Sequence, residues 1–139
     1  HGAPNRIFNS FIENPQSVIL GTSSFWEGVD FPKEVLKAII VARLPFEPPN
    51  DPIFKARSKL FENPFMEYAL PNAILRFRQG FGRLIRRTTD RGAFIVLDSR
   101  ISKQRYGRSF INALPEFTHK SATTDQIPAI ITDWLRKND

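Results

Sequence analysis

Between Arg76 and Arg91 the chain places six arginines and one acid, Asp90, within sixteen residues. At about 100° per residue on a helix, Gln79, Arg83 and Arg86 fall in one stripe roughly 60° wide. Ile74, Phe77, Phe81, Leu84 and Ile85 fall on the opposite side. One face is therefore apolar, and the other aims two guanidiniums in a common direction. Forked hydrogen bonds from paired arginines suit a multiply charged phosphate. The plainer reading is a solvated basic face, and two details count against it. Gly80 and Gly82 lie inside the helical pattern, where each glycine costs about 1 kcal/mol relative to alanine. Glycines kept there suggest that another backbone or a ligand comes close. The arginines also outnumber acids too heavily to neutralise one another, so their partner is expected from outside.

A second segment with chemical potential is Gly21-Thr-Ser-Ser-Phe-Trp-Glu-Gly-Val-Asp-Phe-Pro32. It follows an apolar run, Ser17 to Leu20, that reads as a buried strand. Ligands in open α/β sheets gather at the carboxyl ends of strands. Thr22, Ser23 and Ser24 offer hydroxyls and backbone N–H groups that suit phosphate oxygens. Glu27 and Asp30, three apart, are either an acid/base pair or acids that hold arginines or sugar hydroxyls. Phe25, Trp26 and Phe31 are either core residues or platforms for base stacking, which contributes about 1–3 kcal/mol per base where it occurs.

These residues need a scaffold, and 139 residues suffice for one domain with a real core. The net charge of +6 favours polyanionic partners, nucleic acid first and anionic membrane second. The absence of cysteine excludes disulfides and thiolate chemistry in this chain, and fits a reducing, cytoplasmic setting. Two histidines, His1 and His119, are too far apart to suggest a metal site. No apolar run approaches the roughly 18 residues that span a bilayer.

The pattern alternates strand and helix. Arg6 to Glu13 reads as a short helix with Ile7, Phe8, Phe11 and Ile12 inward. Ala38 to Ala42, within Val35–Leu44, and Ala93 to Leu97 are continuous apolar runs, typical of parallel strands covered on both faces. Asp51-Pro52 starts a helix that runs to Asn63-Pro64. Leu70 to Arg87 is the arginine helix. Arg105 to Leu114 and Asp125 to Lys137 are two more. Pro45 to Pro52, with four prolines in eight residues, is a stiff extended connection. This is the α/β signature of a mainly parallel sheet flanked by helices. The chain opens on a helix where a strand is expected first, so it reads as a piece of a larger protein. It also has no G-x-x-x-x-G-K-[ST] loop and no Asp-Glu pair after a strand. It can lend arginines to a nucleotide without being the whole site.

On these residues the chain resembles a known family. Gly21 to Pro32 resembles motif V of the XPD/DinG branch of superfamily 2 helicases. Gln79-Gly-Phe-Gly-Arg-Leu-Ile-Arg86 is similar to motif VI, Q-x-x-G-R-x-x-R. Arg43 to Pro52 and Asp98-Ser-Arg100 look specifically like the bacterial DinG type. The likeness runs from about Ser17 to Pro115, and Lys33 stands where a glycine often follows motif V.

The resemblance implies a RecA-like, P-loop NTPase-type fold: the C-terminal motor domain, residues 1–139, lacking its first strand. It implies that ATP and Mg²⁺ are bound mainly by a first RecA-like domain of the same parent chain, and that this chain is inactive alone. It implies that Arg83 and Arg86 meet the γ-phosphate, one of them as an arginine finger. Gln79 and Gly82 belong to that network, and Glu27 and Asp30 link it to the DNA-facing loop. Thr22, Ser23 and Trp26 touch single-stranded or forked DNA. The other function class left open is a non-enzymatic basic module that binds nucleic acid through the same helix.

Overall fold

Two of the apolar runs meet as parallel neighbours. In this computed structural model, which describes residues 4–14, 16–22, 31–32, 35–87 and 89–138, β1 (Ala38–Val41) pairs with β2 (Ala93–Val96). The register sets Ala38 opposite Ala93 and Val41 opposite Val96. Beyond the strands, Ala93 N donates to Lys37 O and Leu97 N to Val41 O, so the ladder extends at both ends.

The first helix, α1 (Pro4–Glu13), sets Phe8 and Phe11 against Phe31, with ring centroids 5.3 and 5.7 Å apart. Phe31 is buried there, as core packing requires. The run Ser17–Leu20 does not form the expected strand. Val18 is 84% and Leu20 91% exposed, and no ladder includes them. An apolar run becomes a strand only where it is laid along another strand's edge, and among the described residues the run pairs with neither strand of the sheet. Ile40 of β1 is likewise 62% exposed, so among the described residues its side of the strand is open.

Between the strands the chain makes its helical crossover. α2 (Pro52–Ser58) begins as expected, with Asp51 Oδ1 accepting the N–H of Phe54 at 2.9 Å. It stops at Ser58, short of Asn63-Pro64. A wide π-turn, Phe65–Ala69, then runs straight into α3 (Leu70–Leu84). Pro71 lies just inside α3 but several residues into this continuous helical run, where it leaves one N–H out of the ladder, and the wide turn before it gives its ring room.

The core is the meeting of α3 with what surrounds it. Leu44, Leu70, Ala73, Phe77 and Phe110 are buried together, Phe77 at 1% and Phe110 at 0% exposure. The Phe77 ring meets Phe94 and Phe110 edge-on, at 5.2 and 5.3 Å. Such pairs add about 0.5–1.5 kcal/mol beyond area burial. After β2 the expected helix Arg105–Leu114 forms but is two residues shorter at each end. A single turn, α4 (Arg100–Lys103), precedes α5 (Gly107–Asn112). Gly107 marks the break, because a Cβ there sits 2.0 Å from the Ile101 carbonyl oxygen. The last helix, α6 (Ile127–Asn138), lies two residues later than expected at its start.

One carboxylate ties the exits of both strands. Asp98, just past β2, accepts the N–H of Leu44, just past β1, at 2.8 Å. It also accepts from the Arg100 backbone N–H and guanidinium, the shortest contact being 2.6 Å. Arg100 in turn lies over the Phe46 ring, 5.4 Å from its centroid. The hydrogen bonds from Arg100 hold the Asp98 carboxyl well below its ordinary value of 3.8, at about 2. A folded-state value lowered in this way adds stability above the unfolded value and forfeits it as pH falls through the folded one. Asp98→Ala is therefore expected to cost about 2 kcal/mol in urea denaturation at neutral pH, by orphaning the Leu44 amide. The gap to wild type should shrink as pH is lowered from 4 toward 2.

Candidate functional site

The arginine helix ends earlier than its sequence suggests. α3 stops at Leu84, and Ile85 is extended, with φ −117° and ψ 104°. The cause is Asp90. Its Oδ2 accepts the backbone N–H groups of Arg86 and Arg87, both at 2.9 Å. Those are the donors that would otherwise continue the helix onto Gly82 and Arg83. So Arg86 does not share a helical stripe with Gln79 and Arg83, and that expectation is corrected. Its guanidinium leaves a turn instead, and Nη2 donates to the Phe31 carbonyl at 2.9 Å.

The tighter turn still brings Arg83 and Arg86 to one place. Both line a pocket of about 100 Å³, together with Arg91 and Asp90. Pro32, Leu36 and Leu84 supply its apolar wall. The volume suits one phosphate-sized group and not a whole nucleotide. Leu36 and Arg91 each precede a strand, so the pocket opens at the amino ends of β1 and β2. The carboxyl ends, the expected ligand position, carry a wider depression of about 360 Å³ between Arg43 and Arg100.

Not every predicted residue reaches the pocket. Gln79 is exposed on α3 and does not line it. Gly82 is half-buried, and a Cβ built on it meets nothing within 4 Å. No close approach among the described residues therefore accounts for that glycine. Thr22 is exposed and also lies off the pocket. Ser23, Trp26, Glu27 and Asp30 fall outside the described residues. Among the described residues, no three acidic or histidine side chains gather to hold a metal ion, and no helix is long and apolar enough to cross a membrane. Sequence reasoning passed over Asp90 as a residue of the site. Its signal was its isolation, as the one acid in an arginine-rich stretch.

The start of β2 is fitted against the end of α3 at Gly92. A Cβ on Gly92 falls 2.4 Å from Cγ and 2.5 Å from Cδ1 of the buried Leu84. The arginine-bearing end of the helix is thereby held against the strand that begins beside the pocket.

Comparison with known proteins gives the family. Residues 1–117 match the family model described as "Helicase C-terminal domain", and the chain belongs to that family. Its fold is accordingly the RecA-like α/β domain. The chain is 41% identical over 134 residues to "3'-5' exonuclease DinG" of Bacillus subtilis, covering 94% of this chain and 14% of that protein. It is 40% identical over 114 residues to "ATP-dependent DNA helicase YoaA" of Haemophilus influenzae, covering 79% of this chain and 18% of that protein. The Escherichia coli YoaA matches at 39% over 114 residues. The chain thus spans less than a fifth of the length of these relatives.

Gly92→Ala tests the fit at the pocket rim. Overpacking against Leu84 is expected to destabilise the chain by about 1–3 kcal/mol in thermal or urea denaturation. Leu84→Ala in the same background should recover part of that loss.

Proposed function

We propose that this domain is the second motor domain of an ATP-dependent DNA helicase or translocase. The observation that carries the reading is the convergence of Arg83, Arg86 and Arg91 on one phosphate-sized pocket. In this reading the pocket receives the γ-phosphate of an ATP whose remaining groups, with Mg²⁺, are bound by a first motor domain. The residues fit that role: guanidiniums present planar, fixed donor forks to phosphate oxygens and keep their charge throughout.

Phosphoryl transfer asks for positioning and charge stabilisation more than for covalent chemistry from the protein. Arg83, fixed on α3, and Arg86, on the turn, bind the equatorial oxygens as negative charge spreads over them. One of the two serves as the arginine finger. Gln79 and Gly82, on the exposed side of α3, face the approaching domain. Glu27 and Asp30 connect this network to the loop that carries Thr22, Ser23 and Trp26 toward single-stranded or forked DNA. Contacts from that loop go chiefly to the backbone, so sequence preference is low. The names of the DinG and YoaA relatives support the substrate class.

The test is ATP hydrolysis by a full-length protein carrying this domain, with and without single-stranded DNA. Arg83→Ala or Arg86→Ala is expected to lower DNA-stimulated turnover by about 10³-fold or more, whichever is the finger. Normal turnover in both variants overturns the proposal. If both variants lose only DNA affinity, the arginine helix is a nucleic-acid-binding surface of a non-enzymatic module.

A further inference from the structure

A phosphate-binding arginine on a turn needs that turn to be held. Arg83 takes its position from α3, whose buried face runs through Ala73, Phe77, Phe81 and Leu84. Arg86 has no such support, because the helix has ended at Leu84. What fixes its backbone is the Asp90 carboxylate, through one oxygen that accepts two consecutive amides, Arg86 N and Arg87 N. The same residue lines the pocket beside Arg83 and Arg86. At the far end of the side chain, the Phe31 carbonyl takes the guanidinium. Phe31 is itself pinned by the rings of Phe8 and Phe11.

We infer that Asp90 is a positioning residue. It ends the arginine helix early and clamps the following turn, so that Arg86 enters the same pocket as Arg83. The inference rests on the phosphate-binding reading given above. Two features make the clamp specific. The two amides that Asp90 takes are the ones a continued helix would give to Gly82 and Arg83, so the clamp and the longer helix exclude each other. The charge on Asp90 also lies next to three guanidiniums in a small pocket, where it offsets part of their mutual repulsion and keeps them together until a phosphate arrives.

The experiment uses a full-length protein carrying this domain and a double-mutant cycle between Asp90 and Arg86. Asp90→Ala is expected to lower kcat for DNA-stimulated ATP hydrolysis by between about tenfold and a hundredfold, the scale of a misplaced catalytic group. KM for ATP and affinity for single-stranded DNA should stay within about twofold of wild type, because the misplacement is felt in the transition state. In the Arg86→Ala background the same change is expected to cost less than about twofold more, since what it positions is gone. Asp90→Asn, which keeps an acceptor oxygen, should recover most of the turnover.

Wild-type turnover in Asp90→Ala overturns the inference. So does an equal loss in the wild-type and Arg86→Ala backgrounds, which is what a general loss of folding gives. Should Asp90→Ala melt below the assay temperature, Asp90→Ser takes its place in the same cycle. If Arg86→Ala hydrolyses ATP normally, this inference falls; if Arg83→Ala does so as well, the phosphate-binding reading falls with it. If Arg86→Ala is inactive while Asp90→Ala is not, only the positioning role falls.

Discussion

The Phe77 ring stands where α3 crosses between the strands, edge-on to Phe94 of β2 and to Phe110 of α5. Nearly every placement that matters follows from burying it. With Phe77 inward, Ala73, Phe81 and Leu84 must also face the sheet. Arg83, one residue from Leu84, is then carried to the rim and not into the core. The polar groups are arranged around that packing. Asp98 holds the strand exits together at one end, and Asp90 shapes the chain at the other.

The two aspartates act by the same physical means. Each is a carboxylate that accepts backbone N–H groups left over where a regular element ends, a charge-assisted bond stronger than a neutral one. Asp98 secures Leu44 after β1, and Asp90 secures Arg86 and Arg87 after α3. A second ion pair, Arg76 with Glu47, ties the proline-rich connection to the middle of α3. The apolar core sets the orientation of the helix, and these few charges set where the chain leaves it.

Much of this was legible in the residues. Continuous apolar runs marked β1 and β2, and Asp51-Pro52 marked the start of α2, because each signal is local. The errors have one origin: each depended on a group distant in sequence or on a neighbouring chain segment. Ser17–Leu20 has a strand's composition, but composition does not decide whether the run is laid along another strand's edge. The break at Gly107 comes from a carbonyl six residues earlier that folds back onto it. The stop at Leu84 comes from Asp90, six residues later. Periodicity alone carried the arginine stripe through Arg86. The residue types pointed to phosphate and the spacing brought Arg83 and Arg86 close, but a turn achieved the convergence.

The pocket opens beside the residues that lead into β1 and β2, at the pole of the sheet opposite the usual ligand position. Direction follows from this. A phosphate seated at the carboxyl pole of another α/β unit and met by these arginines sets the two units head to tail. Such a contact is heterologous, with different surfaces on its two sides. Two copies of this chain facing each other across a two-fold axis would set arginines against arginines, so the surface is built to meet something unlike itself.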